Sequence, residues 1–124
     1  MPTVMISVGM IDDYFAAMAL ENAEAIFARG REITGTNLDA LDAMVARTGG
    51  LHWVRPEAGT TALLRYDGAA PSYALCERLI AETGVMLTPG AIMGMEGHLR
   101  IGFGNPPEVF AEGLARLEEW FATR

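Results

Sequence analysis

The sequence predicts an α+β domain, a two-layer sandwich in which helices pack on one face of a small mixed sheet and one long amphipathic helix precedes it. Two observations carry this expectation. The spacing of apolar residues alternates between a helical period and short β-rich runs, in the order helix, strand, strand, helix, strand, strand, helix. Of the 124 residues, 51% are hydrophobic and 20% charged, a balance that can bury one core and is not that of a disordered segment.

From Asp12 to Arg47 the apolar residues Leu20, Ala23, Ile26, Phe27, Ile33, Leu38, Leu41, Met44 and Val45 recur at i, i+3, i+4, i+7 spacing, which predicts one helix with a single core face. The opposite face carries Glu21, Glu24, Arg29, Arg31, Glu32, Asp39, Asp42 and Arg47, read as solvated charge. Gly30 lies within the stripe and costs about 1 kcal/mol relative to alanine unless a neighbour packs tightly on it. Thr48-Gly49-Gly50 ends the helix. Leu51 to Val54 and Thr60 to Tyr66 are strands of a hairpin around Pro56-Glu57-Ala58-Gly59. Asp67-Gly68 breaks the second strand. Pro71 then suits the first turn of a helix whose Leu75, Cys76, Leu79 and Ile80 share a face and which stops before Gly84. Val85 to Thr88 and Leu99 to Phe103 read as two further strands joined by the loop from Pro89 to Gly97. A last helix takes Asn105 as N-cap and Pro106 as its first residue, with Phe110, Leu114, Leu117, Trp120 and Phe121 on its core face.

The composition excludes several functions. A net charge of −7 repels phosphate backbones, so nucleic acid is not an expected partner. One cysteine and two histidines supply neither a disulfide nor a zinc site, which suits a reducing cytoplasm and no metal. No apolar stretch approaches the roughly 18 residues that span a bilayer, and the first ten residues lack a basic leader, so neither membrane anchoring nor export is expected. All nine basic residues are arginines, so no lysine is available for chemistry.

Few residues remain as site candidates. Glycines 90, 94 and 97 lack the P-loop lysine and the G-x-G-x-x-G spacing, so they read as turn geometry. Ser7 and Ser72 have no partnered histidine, Asp12-Asp13 and Glu118-Glu119 diverge on helices, and Cys76 reads as a buried small hydrophobe. His52 and His98 sit in strand-like runs as packed or surface polar groups. Arg100 stands between Gly94-Met95-Glu96-Gly97-His98-Leu99 and Ile101-Gly102-Phe103-Gly104. Its fork could grip a carboxylate, although spacing alone favours an ordinary surface ion pair.

Three runs resemble the C-terminal part of class I/II aminotransferases: Trp53-Val54-Arg55-Pro56-Glu57-Ala58-Gly59-Thr60-Thr61-Ala62, Glu82-Thr83-Gly84-Val85-Met86-Leu87-Thr88-Pro89-Gly90, and Gly97-His98-Leu99-Arg100-Ile101-Gly102-Phe103-Gly104. With Glu21-Asn22-Ala23-Glu24-Ala25-Ile26, the resemblance covers nearly the whole chain and is nearest the bacterial branch that includes capreomycidine synthase. It implies the small domain of the aspartate aminotransferase fold at residues 18–124, after a linker and interface segment at 1–17. It further implies that Arg100 binds the substrate α-carboxylate and that Pro89, Gly90 and Gly94 edge the pocket.

The family uses pyridoxal phosphate bound to a lysine of a large domain. A chain without lysine is expected to carry no catalytic or cofactor-binding residue, and to meet an amino acid or 2-oxo acid only beside such a domain. The other reading is a non-catalytic remnant that self-associates or binds a partner. Val4, Met5, Ile6, Val8, Met10, Ile11, Tyr14 and Phe15 are apolar residues that a homo-oligomer would cover.

Overall fold

The computed structural model describes residues 9–123. They fall into two compact units that divide between Arg31 and Glu32.

Two helices stand where one was expected. Helix α1 spans Met10–Glu21 and α2 spans Ala23–Arg47, separated by Asn22. Asn22 leaves the helical well with φ −107°, and its side-chain amide donates to the Met18 carbonyl at 2.8 Å, a local bond that competes with the helical ladder. The core face predicted for this region is also shorter than expected. Helix α1 buries no residue, Leu20, Ile26 and Phe27 are more than half exposed, and α2 buries only Asn37, Leu41 and Met44. A helix of 25 residues is about 37 Å long, nearly twice the span of a six-residue strand, so one small sheet cannot cover its whole length.

In the second unit, β1 (Leu51–Trp53) and β2 (Thr61–Tyr66) form the hairpin. Helix α3 (Ser72–Thr83) follows, with Pro71 as N-cap rather than first helical residue, and Gly84 closes it in the left-handed conformation at φ +75°. Ile80 is exposed and leaves the face shared by Leu75, Cys76 and Leu79. Strand β3 is only Thr88–Pro89, because residues leaving the α3 cap are held locally: the Val85 amide donates to the Thr83 hydroxyl at 3.1 Å. Strand β4 (His98–Gly102) and α4 (Pro107–Ala122) complete the chain. Helix α4 starts later than expected, with Pro106 as N-cap at ψ 136°, since Pro107 bars the preceding residue from the helical region.

The sheet order is β1-β2-β4-β3, and every pair is antiparallel where a mixed sheet was expected. Strands β2 and β3 do run in the same direction around the α3 crossover, but β4 inserts between them and opposes both. Leu64 faces Leu99, and Ala62 faces Ile101. These four, with Leu51 and Tyr66, form the buried face and pack against Leu41 and Met44 of α2, Leu75 and Leu79 of α3, and Phe110, Leu114, Leu117 and Trp120 of α4. Strand alternation turns every second side chain to the other face, where Thr61, Leu63 and Arg65 of β2 and His98, Arg100 and Gly102 of β4 are exposed or half-buried.

Some charges read as solvated make tertiary bonds while remaining at the surface. Arg47 grips Glu118 of α4 through two bonds of 2.9 Å, Arg55 donates to Asp39 at 2.6 Å, and the Trp53 indole donates to Asp42 at 3.2 Å.

Candidate functional site

The exposed face of the sheet follows from strand register. Leu63 of β2, Arg100 of β4 and Thr88 of β3 form one cross-strand row, and His52, Arg65 and His98 form another. All of these but Thr88 line a concavity of about 700 Å³, together with Trp53, Val54 and Pro56 and with Met93 and Met95.

Arg100 is exposed in this concavity, and its Nη2 donates to the Thr88 hydroxyl at 3.3 Å. Among the described residues it makes no ion pair, contrary to the surface pair that spacing favoured. The register gives the reason: its cross-strand neighbours are Leu63 and Thr88, neither of them acidic. The other arginine in this concavity differs. Arg65 donates to Asp67 at 3.0 Å, and the same carboxylate lies 3.1 Å from His52 Nε2. The bond with His52, then the charges of His52 and Arg65, hold the Asp67 carboxyl below its ordinary range.

The loop from Pro89 to Gly97 carries Met93 and Met95. Gly90–Met93 is a 3-10 turn closed by Gly94 at φ +69°. Gly90 presses so closely on the next turn that a Cβ there would lie 2.1 Å from the Met95 carbonyl oxygen and 2.6 Å from that of His98. Pro89 and Gly90 are buried, Gly94 is exposed, and none of the three lines the concavity; Met93 and Met95 do.

A polar network missed in the sequence anchors the loop. The Glu96 carboxylate accepts from the Ser72 amide at 2.6 Å, the Gly97 amide at 3.2 Å and the Tyr66 hydroxyl at 3.3 Å, while the Ala91 amide donates to the Ser72 hydroxyl at 3.1 Å. The Ser72 amide, then the Gly97 amide, hold the Glu96 carboxyl below its usual range. Ser72 beside Pro71 at a helix start was the one available signal; nothing in the spacing assigns Glu96 to that helix.

His52 and His98 both line the concavity, and His98 Nδ1 lies 3.1 Å from the Glu96 carbonyl oxygen. Cys76 is buried, and burial pushes its thiol up, away from nucleophilic chemistry. A second concavity, about 480 Å³ between α4 and residues 84–87, contains Arg116, but that guanidinium is bound to Glu112 and to the Thr83 carbonyl.

Among the described residues, no group of three His, Cys, Asp or Glu side chains could hold a metal, and no helix is long and apolar enough to cross a membrane. The open face places the Arg100 guanidinium beside the Thr88 hydroxyl, and the His98 imidazole lines the same concavity.

Residues 8–117 match the family model described as aminotransferase class I and II. Capreomycidine synthase of Streptomyces vinaceus is 32% identical over 119 residues, covering 95% of this chain and 31% of that protein. A PLP-dependent aminotransferase from Streptococcus suis superposes with a TM-score of 0.90 at 30% identity, covering 96% of this chain and 32% of the other. Aspartate aminotransferase from Thermotoga maritima gives a TM-score of 0.77 at 25% identity, covering 96% and 30%. The chain thus spans about a third of the length of these relatives.

Proposed function

Because this chain belongs to the aminotransferase class I and II family, we propose that it is the C-terminal small domain of a pyridoxal-phosphate-dependent amino-acid aminotransferase and that Arg100 receives the substrate α-carboxylate. The observation that carries the reading is an arginine on the open sheet face with no acidic partner among the described residues, held by a neutral hydroxyl that leaves its charge uncompensated. Such a fork makes two parallel charge-assisted bonds to a carboxylate and fixes its plane. Met93 and Met95 line the concavity beside that contact, while Pro89, Gly90 and Gly94 set the shape of the turn that carries them. Residues 18–124 would form the domain, and 1–17 the segment leading into it.

The residues present do not fit pyridoxal phosphate as its holder. The cofactor is anchored through a lysine amine, and all nine basic residues are arginines. The chain's part is substrate recognition, with amino acids and 2-oxo acids bound productively only beside a lysine-bearing large domain. A cytoplasmic setting accords with the single, buried cysteine.

Titrating the chain with propionate while following the arginine Nε–H resonances tests this. A selective shift at Arg100 supports carboxylate recognition, whereas equal shifts at Arg100 and Arg65 would reduce it to general charge attraction. Mixing the chain with pyridoxal phosphate and borohydride should leave no reduced adduct on any side chain, read by peptide mapping with the α-amine set apart; a side-chain adduct would overturn the assignment of cofactor binding elsewhere.

A second reading, a self-associating module, draws on α1. Met10, Ile11, Tyr14 and Phe15 are each more than 60% exposed, an apolar surface of the kind that marks association sites. Val4, Met5, Ile6 and Val8, expected to act with them, lie outside the described residues.

A further inference from the structure

The geometry points to His98 as a specificity residue that presents a hydrogen-bond acceptor beside Arg100, selecting carboxylates that carry a hydroxyl or another donor. This rests on the carboxylate reading of Arg100 and goes beyond it by naming the ligand's second group.

A carbonyl oxygen can only accept, so the 3.1 Å contact between His98 Nδ1 and the Glu96 carbonyl requires the proton on Nδ1. In the neutral ring, Nε2 then carries a lone pair. The backbone that fixes this tautomer is firmly held. The Glu96 carboxylate is bound to the Ser72 amide of α3, and Gly90 packs against the carbonyls of Met95 and His98. His98 and Arg100 are two residues apart on β4, about 6–7 Å along the strand, and both line the same concavity. The side chain across the strand from His98 is Arg65, a pure donor occupied by Asp67. A ligand whose carboxylate reaches Arg100 therefore meets an acceptor on the same strand. A hydroxyl there gains a bond, and a methyl group leaves Nε2 without one.

The test uses the intact, isotope-labelled chain at a pH where its imidazole nitrogen shifts show a neutral ring. Long-range proton–nitrogen spectra read the tautomer: Nδ1 protonated with Nε2 bare is required, and the reverse tautomer overturns the assignment of His98 alone. Titrations then compare 4-hydroxybutyrate with pentanoate, which replaces the hydroxyl by a methyl group at equal length. The hydroxy acid should bind about 2- to 10-fold more tightly. That advantage should vanish in His98→Phe and persist in part in His98→Gln, which keeps an acceptor, while Arg100→Gln weakens both acids. Amide spectra of each variant establish that the fold is retained. Equal affinities that still depend on Arg100 would remove His98 and leave the carboxylate reading standing. Failure of either acid to perturb Arg100 would overturn both.

Discussion

The buried side-chain amide of Asn37 donates to the Phe103 carbonyl at 3.0 Å, and to that of Asn105 at 2.8 Å, joining α2 to the segment between β4 and α4. Phe103 is itself fully buried, and its amide is bound to the Thr60 carbonyl. Asn37→Leu keeps the branching and number of side-chain heavy atoms but strands those carbonyls, and should cost about 1–3 kcal/mol. Urea unfolding checks this, and an unchanged midpoint would show that the two bonds contribute nothing net.

Gly90 should tolerate no side chain. A methyl group there meets backbone oxygen rather than the end of a flexible side chain, so Gly90→Ala must displace the 3-10 turn or the start of β4. A loss on the order of 1–3 kcal/mol is expected. Gly113, in the interior of α4 with nothing within 4 Å of a built Cβ, is the contrast: Gly113→Ala should stabilise by about 0.5–1 kcal/mol. Similar thermal shifts for the two variants would contradict this account of the loop.

Acid should weaken the second unit through specific carboxylates. Glu96, Asp67 and Glu118 all have folded pKa values below their ordinary ones; the leading causes are the Ser72 amide, His52 and Arg47 respectively. A depressed carboxyl stabilises fully above its unfolded value of about 4, and that stabilisation is lost as pH falls through the folded value. Glu96→Gln should therefore flatten the decline in melting temperature below about pH 4–5 while lowering the plateau near neutrality. An unchanged acid slope would remove Glu96 from the linkage.

With a lysine-bearing large domain supplied in trans, Arg100→Ala should weaken productive binding of amino acids by about 2–4 kcal/mol. Arg100→Lys should also fall short, because a point charge cannot form two parallel bonds. Steady-state kinetics of the complemented enzyme decide this. Wild-type values in both variants would make Arg100 an ordinary surface residue.

Self-association should follow from the exposed side chains of α1. Light scattering on the full chain is expected to give a dimer or larger species, shifted toward monomer by Ile11→Glu with Phe15→Glu. A monodisperse monomer at high concentration would leave that surface without a role between copies of this chain.

From Leu51 onward the sequence by itself determined the order of helices and strands, because periodicity and punctuation are local: Gly84 ends α3, and Leu114 and Leu117 share the core face of α4; the break at Asn22 was not legible in the apolar spacing. It also determined that no lysine is available and placed Arg100 on a strand. Only the tertiary structure decided that β4 lies between β2 and β3, which puts Leu63 and Thr88 rather than a carboxylate beside Arg100 and leaves its charge uncompensated. The roles of Asn37 and Glu96 were equally out of reach. Their partners lie 66 and 24 residues away, and local pattern specifies which face a residue occupies but not which distant backbone group completes its hydrogen bonds.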